Sequence, residues 1–149
     1  MFVTQKTQYG LRAVFELAKR YGRGPIKIGE VAKVQAIPQR FLEAILSQLK
    51  QAGVVDSRRG KQGGYFLVRD PSDVTVDDVI AVLQGPTAPI ACISDPGEPK
   101  CDLFGECVFM SLWTEVQDAI QRVYQRTTFQ TLLDREKEER RKYVPNFTI

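Results

Sequence analysis

Apolar residues along the first half of the chain recur first at helical and then at strand spacing. Leu11, Val14, Leu17, Ala18 and Tyr21 predict an amphipathic helix over residues 4–21, with Thr4 as its N-cap. Gly22, Gly24 and Pro25 end it. A short second helix runs from Ile28 to Val34 with Val31 and Ala32 inward, and Gln35, Ala36 and Ile37 turn tightly into Pro38. Proline's fixed φ suits the first turn of a new helix. That third helix, from Pro38 to Gln51, places Phe41, Leu42, Ile45, Leu46 and Leu49 on one side. Gln39, Arg40, Glu43, Ser47 and Gln51 fall on the other, and Gly53 is placed to be the left-handed stop.

The pattern then changes period. Val54–Arg58 and Tyr65–Val68 are β-prone runs joined by a basic, glycine-rich tip from Arg59 to Gly64, which reads as a hairpin. A turn follows at Asp70–Asp73, and Thr75 caps a short helix carrying Val76, Val79, Ile80 and Leu83. After Gly85 and Pro86 the chain is irregular and rich in Pro and Gly to about Lys100. Between Val108 and Tyr124 an apolar stripe returns at Leu112, Val116, Ala119, Ile120 and Val123. The charged segment Arg135–Lys142 reads as a final helix giving way to a solvated tail. Natural divisions therefore fall at residues 1–85, 86–107, 108–142 and 143–149.

Composition narrows the class. Of 149 residues, 43% are hydrophobic and 26% charged, which is globular composition. No run approaches the roughly 18–20 apolar residues that cross a membrane, and the start of the chain has no apolar signal core, so the expected location is the cytoplasm with no membrane partner. Residues 1–70 hold 13 Lys/Arg against 5 Asp/Glu, whereas residues 71–149 hold 8 against 13. A basic half fits a polyanionic partner. Histidine is absent, which removes the commonest general base and every histidine-containing zinc site. No paired-carboxylate motif or phosphate-binding glycine loop stands out, and the chain is not expected to be an enzyme.

Helix, short helix, tight turn, longer helix and two-stranded basic wing is the order of a winged helix-turn-helix. The expected fold is mainly α with a small β-hairpin wing, followed by a long C-terminal helix. The third helix must bury one face while the other enters the major groove of double-stranded DNA. Arg40 can donate to guanine or phosphate, Gln39 and Gln51 to adenine or backbone, and Glu43 can accept from cytosine N4, while Ser47 permits close approach. On the wing, Arg58, Arg59 and Lys61 can neutralise phosphates, and Gly60, Gly63 and Gly64 let the backbone turn and approach the sugar-phosphate chain.

The stretch from Ile37 to Val55, followed by Ser57–Tyr65, closely resembles the Rrf-two (Rrf2) family of bacterial transcription regulators. So do Thr4 with Tyr9-Gly-Leu-Arg-Ala, and the Asp77-Asp-Val-Ile helix. The likeness runs through essentially the whole chain. It implies a homodimer on a pseudo-palindromic operator, paired through the long C-terminal helix. The stripe Leu112, Val116, Ala119, Ile120 and Val123, with Phe109 and Trp113 beside it, agrees with such pairing. Residues 108–142 are then dimerisation helices, and two-fold pairing sets the reading helices about 34 Å apart, on successive major grooves.

Cys92, Cys101 and Cys107 are the chain's three cysteines and fall within 16 residues, on a loop containing Ser94–Lys100. Clustered thiols in a cytosolic protein point to metal or redox chemistry, since stable disulfides are disfavoured there. Three thiolates without histidine do not complete a four-ligand zinc site. An iron–sulfur cluster of two or four irons, held by the three thiolates plus a fourth ligand, is chemically reasonable. The resemblance implies the same, because cluster-sensing members carry three cysteines in this loop. The sequence departs from their patterns at Met110, where one subfamily has histidine, and at Gln8, where others use an acidic ligand from the partner subunit. Asp102 and Glu106 are oxygen donors within the loop. The alternative is a cofactor-free regulator of the same fold, controlled by thiol oxidation or by a regulatory protein partner.

Overall fold

The computed structural model describes residues 3–94 and 101–143. Helix α1 (Gln5–Lys19) begins where the Thr4 hydroxyl accepts from the Thr7 N–H, as the cap residue type predicts. Helix α2 (Ile28–Val34) and helix α3 (Gln39–Gln51) follow, joined through a turn in which Ala36 takes φ +50°. A non-glycine residue in that left-handed region costs about 1 kcal/mol, so the surroundings must hold the turn. Gly53, at φ +75°, ends α3 as expected.

Strands β1 (Val55–Arg58) and β2 (Gly64–Leu67) form an antiparallel ribbon, with Val55 opposite Leu67 and Arg58 opposite Gly64. A short 3-10 turn at Pro71–Asp73 leads to α4 (Val76–Leu83), which opens on a complete capping box between Thr75 and Asp78. The chain continues through α5 (Ala91–Ser94), α6 (Phe109–Arg126) and α7 (Phe129–Lys142). The winged helix-turn-helix expected from the sequence is the fold observed.

One core joins these elements. Val14 and Leu17 of α1, Val31 of α2, Leu42, Ile45, Leu46 and Leu49 of α3, and Val79 of α4 are almost wholly buried. Each such side chain contributes on the order of 1.5–3 kcal/mol by leaving water. Two residues expected in this core are outside it. Tyr21 is 41% exposed, because α1 ends at Lys19 and the helical register is lost beyond it. Phe41 is 47% exposed and lines an apolar groove with Tyr9, Ala44 and Ile45.

The last helix begins six residues before the charged segment that predicted it. Phe129, its first residue, is fully buried among the side chains of the N-terminal unit. Backbone bonds fix the joint between α6 and α7: the Val76 N–H donates to the Thr127 carbonyl and the Phe129 N–H to that of Val74, both at 2.9 Å. α7 then packs along α1. By contrast α6 contains no buried residue. Leu112, Ala119 and Val123 of the expected stripe are exposed, and Val116 and Ile120 are half-buried. Among the described residues no helix is long and apolar enough to cross a membrane.

Candidate nucleic-acid interface

The two faces of α3 are sharply divided. Leu42, Ile45, Leu46 and Leu49 anchor one face in the core, while Gln39, Arg40, Glu43, Ser47 and Gln51 are all exposed on the other. Gln39 Nε2 donates to Glu43 Oε1 at 3.4 Å, and the Arg40 guanidinium lies 4.8 Å from the centre of the Phe41 ring. Phe41 lies outside the core, and its face supports the arginine beside it. These polar groups are presented by a helix whose own position is fixed by packing, which is what base reading requires.

The wing stands beside this helix and is held from two sides. Lys50 Nζ, in the last turn of α3, lies 3.2 Å from Asp56 Oδ1 and donates to Ser57 Oγ at 2.6 Å. On the other side, Ile26 and Tyr65 exchange both backbone hydrogen bonds, each 2.8 Å long. Gly64 makes that pairing possible, because a β-carbon on it would come within 2.2 Å of the Ile26 carbonyl oxygen. Gly63 is buried, and a β-carbon there would meet the Arg58 carbonyl oxygen at 2.2 Å. Gly63 is thus needed for close passage within the wing, and Gly64 for close passage of the wing against the segment before α2. Gly60, at φ +111°, turns the tip.

Arg58, Arg59 and Lys61 are exposed on this ribbon, and the Arg58 guanidinium sits 5.3 Å from the Phe66 ring centre. Sequence reading missed Lys50 as the clamp between helix and wing. A lysine in a last helical turn, six residues before an aspartate across a tight turn, was the available signal. The Ser57 backbone N–H and Lys50 together hold the Asp56 carboxyl below the ordinary aspartate range.

The cysteines are placed differently. Cys92 lies half-buried on α5, Cys101 is exposed, Cys107 is half-buried just before α6, and all three are free thiols. Of the loop segment Ser94–Lys100, residues 95–100 lie outside the described residues, as do residues 144–149 of the expected tail. Among the described residues, no three Cys, Asp or Glu side chains are gathered into a group that could hold a metal ion. Asp102 and Glu106 are exposed.

A buried-backed helix with an exposed polar face, preceded by a helix-turn and flanked by a clamped basic ribbon, defines a winged helix-turn-helix regulator. Residues 3–135 match the family model described as Rrf2, iron-dependent transcriptional regulator. The chain belongs to the Rrf2 family. It is 33% identical over 144 residues to the HTH-type transcriptional regulator CymR of Bacillus subtilis strain 168, covering 97% of this chain and 98% of that one. The solved structure of CymR, the global cysteine regulator of B. subtilis, superposes with a TM-score of 0.73 at 34% identity, over 89% of this chain and 95% of that one. The structure of T. potens IscR gives a TM-score of 0.73 at 32% identity, over 93% and 90%. These relatives are named as transcriptional regulators and not as enzymes.

Proposed function

We propose that this chain regulates transcription as a homodimer bound to a pseudo-palindromic operator in double-stranded DNA, with α3 in the major groove and the wing on the flanking phosphates. The observation that carries the reading is the division of α3: four large apolar residues lock it into the core while five polar side chains face outward beside three wing cations. In this reading Gln39, Arg40, Glu43, Ser47 and Gln51 meet base edges or backbone, and Arg58, Arg59 and Lys61 meet phosphate. The partner subunit covers the exposed side of α6 at Leu112, Val116, Ala119, Ile120 and Val123. A cytoplasmic location accords with this role.

Control resides in the segment bearing Cys92, Cys101 and Cys107. The donor set suits an iron–sulfur cluster, because three soft thiolates lie on one short segment, with Asp102 and Glu106 beside them as oxygen donors for a fourth position. Holding a cluster would require the three thiolates to converge on it. The exposed free thiol of Cys101 favours a second reading, in which the thiols respond to oxidation, or a protein partner supplies the signal, with no cofactor bound.

The deciding experiment is selection of duplexes from a random-sequence pool by the full chain, followed by footprinting. Two related half-sites centred about one helical turn (about 34 Å) apart are expected. A single unpaired footprint, or no enrichment at all, overturns the dimeric DNA-reading proposal.

A further inference from the structure

Glu16 is an ionisable residue in the buried face of α1, only 5% exposed. Its carboxylate has two partners. Gln35 Nε2 donates to Glu16 Oε2 at 2.9 Å, and Lys19 Nζ lies 3.6 Å from the same oxygen. Lys19 in turn reaches Glu136 Oε1 of α7 at 2.9 Å, and Arg140 approaches that oxygen at 3.2 Å. A row of polar contacts therefore crosses the molecule from α7, over α1, to Gln35.

Gln35 occupies a sensitive place. It caps α2 and immediately precedes Ala36, the non-glycine residue in the left-handed region. Its carbonyl oxygen accepts from Arg12 Nη2, and its side chain is held by Glu16. The turn that sets the angle between α2 and α3 is thus held by α1 side chains, against a backbone conformation that costs energy. At the other end, α7 is rooted by Phe129 in the core and by the backbone bonds to Val74 and Val76 that also fix the end of α6.

We propose that Glu136, Lys19, Glu16 and Gln35 form a positioning relay, through which the placement of α7 sets the turn before α3 and hence how the reading helix meets its operator. None of these residues lies on the reading face of α3 or on the wing. The proposal rests on the DNA-reading function above and adds positioning residues that the reading face alone does not reveal. Only the two extended residues Thr127 and Thr128 separate α6 from α7, and Thr127 is bonded to Val76, so a change of position in the C-terminal helices has a path to the turn.

The sign of the effect separates this relay from simple electrostatics. Glu16→Gln and Glu136→Gln each remove a negative charge, so charge alone makes both variants bind DNA more tightly. The relay demands the reverse for a selected duplex. The full chain is tested against a duplex selected by the unaltered protein from a random pool, and against mixed-sequence genomic DNA. Each variant is expected to bind the selected duplex about three- to tenfold more weakly. Binding to mixed DNA should not weaken, the salt slope should stay the same, and the double variant should be no worse than the worse single.

Circular dichroism verifies that each variant is folded. Glu136→Gln, on the partly exposed flank of α7, keeps the test valid if the buried Glu16 change destabilises the chain. An unchanged ratio of selected to mixed-DNA affinity, or effects that simply add, overturns the relay. If the unaltered protein selects no duplex, the DNA-reading function fails and the relay fails with it.

Discussion

Lys50 Nζ lies 3.2 Å from Asp56 Oδ1 and joins the end of the reading helix to the first strand of the wing. Helix and ribbon are consequently one unit, and the orientation of the wing cations follows from the orientation of α3. The Asp56 carboxyl sits below its ordinary value, first because it accepts from the Ser57 N–H and next because Lys50 is beside it. A folded-state value below the unfolded one stabilises above the unfolded pKa of about 3.9 and ceases to do so as pH falls through the folded value.

This clamp should therefore open in acid. Protection factors of the β1 amides, which divide out the intrinsic slowing of exchange in acid, are expected to fall as the pH is lowered from about 5 into the range below the ordinary aspartate value. Asp56→Asn should show the faster wing exchange already at neutral pH, with the acid step removed. Both groups are exposed, so the effect is local to the ribbon, and melting of the core should hardly change. A wild-type wing whose exchange shows no acid component beyond that of Asp56→Asn would deny the clamp.

Helix and wing should differ in what they contribute to binding. Arg40→Ala removes a side chain suited to guanine or phosphate, and a lost bidentate base contact costs about 1–3 kcal/mol and relaxes preference at one position. Arg59→Ala and Lys61→Ala should instead weaken binding to all sequences and each lower the salt slope by about one ion. Titrations at several salt concentrations, on selected and unselected duplexes, separate the two patterns. An unchanged salt slope in both wing variants would mean that the wing does not touch phosphate.

The core prediction turns on two phenylalanines. Phe129→Ala empties a fully buried position where α7 enters the N-terminal unit, and should cost about 3–5 kcal/mol. Phe41→Ala removes a half-exposed ring and should cost much less, while loosening the support under Arg40. Denaturant titration measures both. A near-neutral Phe129→Ala would show that α7 is only weakly attached.

These two residues also show how far the sequence could be read. The helix-turn-helix and wing were legible because their signals are local: a stripe at helical spacing, a stop at Gly53, a glycine-rich tip between β-prone runs. Leu42, Ile45, Leu46 and Leu49 are buried as the period requires. Phe41 has the same period but stands at the edge of the apolar arc, and among the described residues it is left about half exposed. Phe129 is the opposite case. It lies in a short apolar patch, Phe129, Leu132 and Leu133, ahead of a strongly charged run, and only the long-range bonds to Val74 and Val76 explain why it is buried. The pairing of Glu16 with Gln35 was illegible, since tertiary packing brings them together, whereas Lys50 and Asp56 are six residues apart and Lys19 lies one helical turn from Glu16.

The cysteines allow the last discrimination, between a bound cluster and bare thiols. Cys101, exposed and separated from Cys92 by a chain segment that includes residues 95–100, is the thiol to change first. If a cluster is held, protein purified without oxygen contains iron and acid-labile sulfide and absorbs visible light, and Cys101→Ala loses all three signals while remaining folded. Operator affinity should then differ between the loaded protein and its chelator-treated form. If the thiols act alone, iron is absent and the anaerobic protein is colourless. Adding a thiol oxidant should then join two of them in a disulfide with loss of two hydrogens, visible by mass spectrometry, and shift DNA affinity. Replacing all three cysteines by serine with no effect on operator binding, under either oxidising or anaerobic conditions, would remove the segment from control and leave a protein partner as the source of the signal.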